Sequence, residues 1–517
     1  MSERVEISKK LVLINAASAV LTRLLSLAVI FWLQQYLLNR VSYDEYSLQP
    51  LLYSVMMFAP LFTVILTGGL GRFITVAYAR DDDEEVTRIC STMFPILCVA
   101  AVLFLALGWT FAWYSDRLLN IAPELVWDAR IMLGLLFFSV AIRLPLLPFG
   151  TGFFVRQKFA LFNGITFLST ILRHAILLTL LFTVSTRLLW VIIATVIADM
   201  VQLAIVTPLS MRMLPALRVR RKNFHWPIAR EVSSFGGWQF SMMIGNTLRT
   251  ALDPIVLNLY ATSWDLACYH LASLPFQTIW QLISMAKGNL NPSLTAMHAA
   301  GAQDRLRGAF LRGNRLALWL FLMPSLPLAL FAQPIMDLYV GPDQWLAALL
   351  LQANFLAMLT MIPSLMFSSI AEATGKLREF CLLVLFANVV NLGLTFVFVA
   401  YLGFGAIGSC LATGVASAIF YPLFIWPLSR KTLGTTFREW SVEVMWFGIL
   451  PSLCSAPVYL LGSYLIAPGS WFQLGLFLAL GGIVYVISLY SLAARARDRE
   501  DISRSIEMAC VRIKRIF

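Results

Sequence analysis

The chain has 517 residues, of which 59% are hydrophobic and only 13% are charged, and its mean hydropathy is +0.79. This composition argues against a soluble globular protein and predicts an integral membrane protein. The formal net charge of +12 requires no nucleic-acid partner, because basic residues also gather where a membrane protein meets anionic headgroups. The seven cysteines and four histidines show no ligand spacing, so we predict no disulfide framework, metal site or cofactor.

Fourteen apolar segments follow one another along the chain, and each is about as long as the roughly 20 residues that a membrane-spanning helix needs. The first begins after the polar stretch MSERVEISKK and lacks a small-residue cleavage site, so we expect it to be retained as a helix. The predicted spans lie near residues 11–38, 46–79, 89–115, 125–154, 159–184, 188–211, 231–260, 265–297, 309–338, 345–373, 380–402, 405–428, 441–465 and 471–493.

The distribution of Lys and Arg predicts the orientation of these spans. With a cytoplasmic N-terminus, 29 of the 39 basic residues fall on the cytoplasmic side and six fall within or at the ends of spans. Only four fall on the opposite side: Arg40, Arg117, Arg130 and Arg187. Since cytoplasmic loops retain Lys and Arg, this asymmetry predicts an even number of spans with both termini in the cytoplasm.

A weak internal repeat divides the chain. An ungapped offset of 221 residues aligns NRVSYDEYSL (39–48) with YATSWDLACY (260–269), and the same offset aligns 74–83 with 295–304 and 156–162 with 377–383. Each copy contains six spans, so both copies start on the same side of the membrane and the duplication is parallel. The fold predicted is therefore all-α, with two parallel six-helix lobes and two further C-terminal helices.

This repeat predicts five parts of the chain. A basic cytoplasmic linker joins the two lobes, and a basic cytoplasmic tail ends the chain, where an amphipathic surface helix and a solvated tail both fit the sequence. The predicted parts are the first lobe, 1–213, the linker, 214–228, the second lobe, 229–435, helices 13 and 14, 436–494, and the tail, 495–517.

More basic than acidic residues lie inside the predicted spans. Charged side chains at mid-membrane cost about 2.5–3.5 kcal/mol on insertion scales, so they normally face a partner or a water-filled cavity. An excess of cations predicts an interior that stabilises an anion, and the planar fork of arginine suits phosphate. The basic residues assigned to the membrane interior and its margins are Arg23, Arg72, Arg143, Arg173, Arg249 and Lys287, and the acidic ones are Asp199, Asp253 and Glu372.

Several of these charges also have a purely structural interpretation. Arg249 and Asp253, four residues apart, could simply neutralise each other so that their helix inserts. Arg143 stands close to two prolines and could bind the backbone carbonyls that they free. His174 fits packing or hydrogen bonding better than a proton relay. Arg23, in contrast, has no acid within helical reach in its own span, which favours exposure to a cavity.

Polar side chains share helix faces with these cations. Gln277, Gln281 and Asn291 line one face of the eighth span, with Lys287 at its margin. Thr166 and Thr170 share a face with Arg173 in the fifth span. Helices with one polar and one apolar face are what a wet central cavity requires.

Three stretches resemble a known family: SYDEYSLQPLLYSV after the first span, GGLGRFITVAYARDD at the end of the second, and the glycine-containing segment 375–420. The chain resembles the polysaccharide-transporter (Wzx-type) branch of the multidrug/oligosaccharidyl-lipid/polysaccharide exporter superfamily. Many members of that branch have twelve spans. With its fourteen predicted spans, the chain is also similar to the lipid II flippases of the same superfamily.

The resemblance implies a transporter rather than an enzyme, located in the bacterial inner membrane and surrounded by its lipids. It would move an undecaprenyl-pyrophosphate-linked oligosaccharide to the outer leaflet by alternating access for surface or exopolysaccharide synthesis, with polymerase or export machinery as further partners. The alternatives are a cation-coupled drug or metabolite antiporter, which would favour a carboxylate-dominated pocket, and a lipid II flippase. The candidate substrate-binding residues are Arg23, Arg249, Lys287, Arg143, Arg173, Gln277, Gln281 and Asn291, and the candidates to bind a coupling H⁺ or Na⁺ are Asp253, Asp199 and Glu372.

Overall fold

The computed structural model describes the backbone of residues 29, 31–156, 158–288, 290–466, 468–496, 498–500 and 503. Within this part of the chain the structure is built from helices joined by short turns. The all-α membrane fold predicted from the sequence is confirmed.

The chain separates into two compact units, Met1–Ala267 and Cys268–Phe517. Residues 31–38 are helical. The further helices of seven or more residues in the first unit are α1 (Tyr43–Met56), α2 (Ala59–Thr67), α3 (Leu70–Ala79), α4 (Asp83–Trp113), α5 (Val126–Leu146), α6 (Phe159–Thr183), α7 (Leu189–Met213) and α8 (Trp226–Tyr260). Helix α9 (Ser263–Gly288) contains the boundary between the units.

The second unit continues with ten helices of this length among the residues described. They are α10 (Asn291–Ala299), α11 (Gln303–Leu330), α12 (Ala332–Tyr339), α13 (Trp345–Met361), α14 (Phe367–Ala373), α15 (Leu377–Phe396), α16 (Gly405–Phe420), α17 (Trp426–Leu433), α18 (Phe447–Leu461) and α19 (Trp471–Ser488). Several of them are extended by π-helical segments, at Val397–Tyr401, Tyr421–Ile425, Ser441–Trp446, Gly462–Ile466 and Leu489–Ala493.

Eleven helical stretches of the described chain are long and apolar enough to cross a membrane, so the protein is a multi-pass membrane protein. The predicted first span lies mostly outside the described residues. The predicted seventh and eighth spans form α8, with 35 residues, and α9, with 26 residues. These two helices are not among the eleven, because their polar side chains lower the mean hydropathy. The total of fourteen spans therefore stays a prediction.

Helix α8 belongs to the first unit, where it packs closely against α2. A Cβ atom added at Gly236 would lie 2.1 Å from the carbonyl oxygen of Ile65, a distance that no side chain can occupy. Gly236, the first glycine of GGWQF, thus serves helix packing, as small residues commonly do in membranes. The compact units divide the chain after this helix, whereas the predicted lobes divide it at the linker 214–228, and that lobe division stays a prediction.

Candidate functional site

Two arginines of the first unit converge on one carboxylate. Asp199 in the middle of α7 accepts a hydrogen bond from Nη2 of Arg173 in α6, at 2.8 Å. The guanidinium of Arg143, near the end of α5, lies 3.8 Å from the other oxygen of the same carboxylate. We call these three residues the Asp199 cluster. Because two positive charges share one negative charge, the cluster keeps one positive charge.

The exposure of these side chains decides what that charge can do. The side chain of Arg143 is 50% exposed and that of Arg173 is 35% exposed, while Asp199 is 20% exposed. Both guanidinium groups are therefore open to a ligand in part, and Arg143 is held less tightly than Arg173. A multivalent anion could contact both without breaking the fold of α5, α6 or α7.

The pairing of α6 with α7 positions the cluster. These helices follow each other through a short connection, and polar contacts recur along their shared face. Nε2 of Gln202 donates to Oγ1 of Thr166 at 3.1 Å, and Oγ of Ser169 donates to the carbonyl oxygen of Ala198 at 3.5 Å. The face of Thr166 and Arg173 predicted from helical spacing thus meets α7, which supplies the acid.

A tyrosine that the sequence analysis did not single out also lies beside the cluster. Tyr53 of α1 hydrogen-bonds with Gln49 and Thr195 and is close enough to Arg173 and Asp199 to interact electrostatically with both. Helix α1 carries further buried polar contacts: the hydroxyl of Tyr46 donates to Gln34, and Gln34 donates to Gln49 at 3.5 Å. The sequence contains a signal for this group, because the polar side chains at positions 46, 49 and 53 share one face of a helix.

His174 lies next in the chain to the cluster's Arg173. Both of its ring nitrogens are buried and have no hydrogen-bond partner among the residues described, and the same holds for Nε of Arg173. The hydrogen-bonding role expected for His174 is thus not observed in the described part of the chain.

A second group of predicted residues meets in the second unit. Nζ of Lys287, near the end of α9, donates to the hydroxyl of Ser368 in α14 at 2.8 Å. Glu372 follows Ser368 by one helical turn and accepts a hydrogen bond from Nδ2 of Asn291 at 3.0 Å. Lys287 forms no ion pair with any described residue. We call these four residues the Lys287 cluster.

Two features make the Lys287 cluster a candidate for anion binding. Its cation is half-buried and donates to a neutral hydroxyl, while Glu372 interacts with it electrostatically without forming an ion pair. Oδ1 of Asn291 is buried without a partner among the described residues. Their position in predicted spans identified Lys287, Asn291 and Glu372, but Ser368 is one of many serines and has no distinguishing pattern.

The remaining predicted residues are placed as follows. Gln277 is exposed and donates to Ser273 one turn earlier in α9, at 3.2 Å, and Gln281 is also exposed. Asp253 is buried in α8, with 5% exposure. Arg23 and the side chain of Arg249 lie outside the described residues, so their roles stay predictions.

A third charged group, in the second unit, was not anticipated. Asp498 accepts hydrogen bonds from Arg312 and Arg315 of α11, both at 2.6 Å. Arg315 also donates to Glu443 at 2.8 Å, and Glu443 in turn contacts Arg495. We call these five residues the Asp498 cluster. Arg315 and Asp498 are almost fully buried, so the cluster has little surface to offer a ligand.

Comparison with known proteins identifies related sequences. The sequence profile of a family described as "Polysaccharide biosynthesis protein" matches residues 8–298. The chain is also similar to the uncharacterized membrane protein EpsK of Bacillus subtilis (strain 168), with 23% identity over 420 residues, which cover 80% of this chain and 82% of EpsK.

Solved structures share the fold. The lipid II flippase MurJ in an inward closed conformation has a TM-score of 0.68 and 14% identity, with 92% of this chain and 97% of MurJ covered. An inward-facing multidrug resistance transporter of the MATE family has a TM-score of 0.62 and 15% identity, with 79% and 95% covered. A superfamily member from Pyrococcus furiosus has a TM-score of 0.57 and 14% identity, with 82% and 94% covered. At these identities the likeness shows the fold.

Proposed function

Because the chain belongs to the polysaccharide biosynthesis protein family, we propose that it is a flippase for an undecaprenyl-pyrophosphate-linked oligosaccharide repeat unit. The resemblance to the polysaccharide-transporter branch that the sequence indicated is confirmed by the family match, by EpsK and by the shared fold. The repeat unit crosses the bacterial inner membrane from the cytoplasmic to the outer leaflet by alternating access, for surface or exopolysaccharide synthesis. Both termini are cytoplasmic in this proposal.

The observation that carries the proposal is the surplus positive charge of the Asp199 cluster. A pyrophosphate diester carries two negative charges, and two guanidinium groups about one carboxylate can bond its oxygens in pairs. At an effective dielectric constant of about 20, each unit charge at 4 Å contributes about 4 kcal/mol, part of which is lost to desolvation. Lys287, whose described hydrogen-bond partner is the hydroxyl of Ser368, stays a candidate ligand of the substrate in its own unit.

Other residues would hold the rest of the substrate. Arg23 and Arg249 join Arg143, Arg173 and Lys287 as candidates for the pyrophosphate. The exposed amides Gln277 and Gln281, together with Asn291, can exchange hydrogen bonds with sugar hydroxyls. The polyprenyl tail stays in the bilayer, where the hydrocarbon needs no protein partner.

Energy coupling forms a separate part of the proposal. A proton or Na⁺ bound by Asp199, Asp253 or Glu372 would link transport to an ion gradient, since acids within the membrane mark such pathways. Replacing each acid by its amide tests the link: loss of the gradient dependence is expected for at least one variant. Transport that still responds to the gradient in all three variants would remove these acids from the coupling step. Polymerase or export proteins are further proposed partners.

The decisive experiment is to identify the molecule that accumulates when the protein is absent. We expect a lipid-linked oligosaccharide on the cytoplasmic face, and we expect the wild-type chain and an Arg187→Gln control to clear it. Arg143→Gln should clear it poorly. Accumulation of a peptidoglycan precursor would favour the lipid II alternative, and accumulation of a neutral or cationic small molecule would favour the antiporter.

A further inference from the structure

The basic segment between α7 and α8 is fixed to the body of the first unit rather than hanging as a free tether. Three buried hydroxyl side chains, spaced along one face of α4, hold its backbone. Thr87 donates to the carbonyl oxygen of Ala216 at 2.9 Å, the amide of Arg220 donates to Ser91 at 2.9 Å, and the amide of His225 donates to Thr92 at 3.0 Å.

Apolar contacts anchor the same segment. Leu214 and Leu217 are 2% and 0% exposed and belong to one cluster with Val86, Ile89 and Cys90 of α4. Ala229 and Val232, at the start of α8, are buried in that cluster too. With its backbone and both ends fixed, the segment can present its remaining side chains in a set arrangement.

Those remaining side chains combine charge with aromatic surface. Arg218, Arg220 and Lys222 are exposed, and none forms an ion pair with a described residue. Phe224 and Trp226 are 43% and 65% exposed. We call these five residues the linker surface. An aromatic side chain open to water is costly, so this combination indicates that the linker surface is covered in the working protein.

Acidic groups do not neutralise the linker surface. The sequence contains no Asp or Glu between residues 199 and 231. The acids at the start of α4 form no ion pair with these three cations among the described residues: Asp82 accepts from the amide of Glu85, Arg88 pairs with Glu84 and Glu85, and the backbone carbonyl of Asp83 accepts from Thr87. The positive charge of the linker surface is therefore open to a partner.

The position along α4 identifies what lies in front of the linker surface. A helix of 31 residues is about 46 Å long, which exceeds the roughly 30 Å hydrocarbon core by about 16 Å. The three anchoring hydroxyls lie within the first ten residues of α4, so they are within about 14 Å of its start. All charged residues of α4 lie within its first six residues, so the excess length falls at this end and the linker surface lies at the depth of the lipid headgroups.

We propose that the linker surface binds the anionic phospholipid headgroups of the adjacent leaflet. Its three cations match the negative surface potential of such a leaflet, and Phe224 and Trp226 enter the interfacial zone, where aromatic rings are favoured. This lipid contact does not depend on the transported substrate, because the partner of the linker surface is the bilayer itself.

The test uses purified full-length protein and native mass spectrometry of bound phosphatidylglycerol against phosphatidylcholine. We expect the wild type to prefer phosphatidylglycerol and the variant R218Q/R220Q/K222Q to lose about tenfold or more of that preference. The matched control is R305Q/R378Q/K431Q, which removes three exposed cations elsewhere and should keep the preference. Circular dichroism and gel filtration should be the same for all three proteins.

A second measurement checks the aromatic contribution. Brominated phosphatidylglycerol quenches tryptophan fluorescence on contact, so the fluorescence of the wild type should be quenched more than that of Trp226→Phe. In the R218Q/R220Q/K222Q background, the same Trp226→Phe substitution should no longer change the quenching. The proposal is overturned if the wild type shows no phosphatidylglycerol preference, if the control loses as much as the linker variant, or if millimolar inorganic phosphate displaces the lipid, which would indicate a general anion site. Equal quenching of the wild type and Trp226→Phe would also overturn it.

Discussion

The Asp199 cluster of the first unit and the Asp498 cluster of the second are built from the same residue types, arginines around an aspartate. Their exposure separates them. The side chains of Arg315 and Asp498 are 5% and 1% exposed, whereas Arg143 and Arg173 are 50% and 35% exposed. An arginine–carboxylate group in a membrane protein therefore fastens helices when it is buried, and keeps charge available to a ligand when it is exposed.

The Lys287 cluster lies between these two cases. Its cation is half-buried like the groups of the Asp199 cluster, but its partner is a hydroxyl rather than a carboxylate. A half-buried charge without an ion pair costs stability, and such a cost is typical of functional sites. The three clusters therefore predict different balances between stability and transport, which can be measured separately.

The largest effect on stability is expected for Asp498→Asn. The substitution leaves Arg312 and Arg315 without their shared carboxylate, and removing one partner of a buried ion pair costs about 3–5 kcal/mol. A lowered midpoint of thermal unfolding in detergent should report this loss. Asp343→Asn, at an exposed position, is the control. A variant as stable as the control would contradict the fastening role.

Arg173→Gln should have the largest effect on transport with little loss of stability. It removes the shortest contact of the Asp199 cluster and one of the two forks offered to the pyrophosphate, so we expect flipping to slow by about tenfold or more. Arg173→Lys keeps the charge but not the fork, and should restore only part of the rate. The measurement is the appearance of lipid-linked oligosaccharide on the outer face. If Arg173→Gln flips the lipid-linked oligosaccharide at the wild-type rate, the Asp199 cluster does not contribute to transport.

Lys287→Met should change the stability in the opposite direction from the one expected for Asp498→Asn. It removes a half-buried cation whose described contacts include no carboxylate, so the protein should become more stable by up to about 1 kcal/mol, while transport should fall. Lys287→Arg keeps the charge and serves as the matched variant. Unfolding midpoints and flipping rates are measured on the same preparations. A Met variant that is less stable than wild type would show that Lys287 is a structural residue.

The smallest effect is expected for Asp116→Asn, in the connection between α4 and α5. Asp116 accepts a hydrogen bond from Arg130 at 3.0 Å, and this contact lowers the pKa of the Asp116 carboxyl. A lowered acid pKa means that the pair persists at neutral pH and is lost only as the pH falls through that pKa. Wild type and variant should thus unfold within about 1 °C of each other from pH 8 to 5, because exposed pairs contribute little. A difference in unfolding temperature between wild type and Asp116→Asn that changes between pH 8 and 5 would contradict this small contribution of the Asp116–Arg130 pair.

The membrane class, the helical architecture and the presence of most charged residues within the spans follow from the sequence alone. These follow from local quantities: runs of apolar residues set the helices, and helical spacing placed Thr166 with Arg173 on one face. The family resemblance also rests on short contiguous stretches. All of these properties depend on residues close together in the chain, where the geometry of a helix is the same in every protein.

Which charge meets which partner depends on the tertiary structure. Arg173 finds its carboxylate 26 residues away, Lys287 finds Ser368 at 81 residues, and Arg315 finds Asp498 at 183 residues. Helical periodicity gives the face of each side chain but not the helix that packs against it, because that choice depends on the combined packing of all the helices. Whether an arginine ends in an open or a closed cluster is fixed only by that packing.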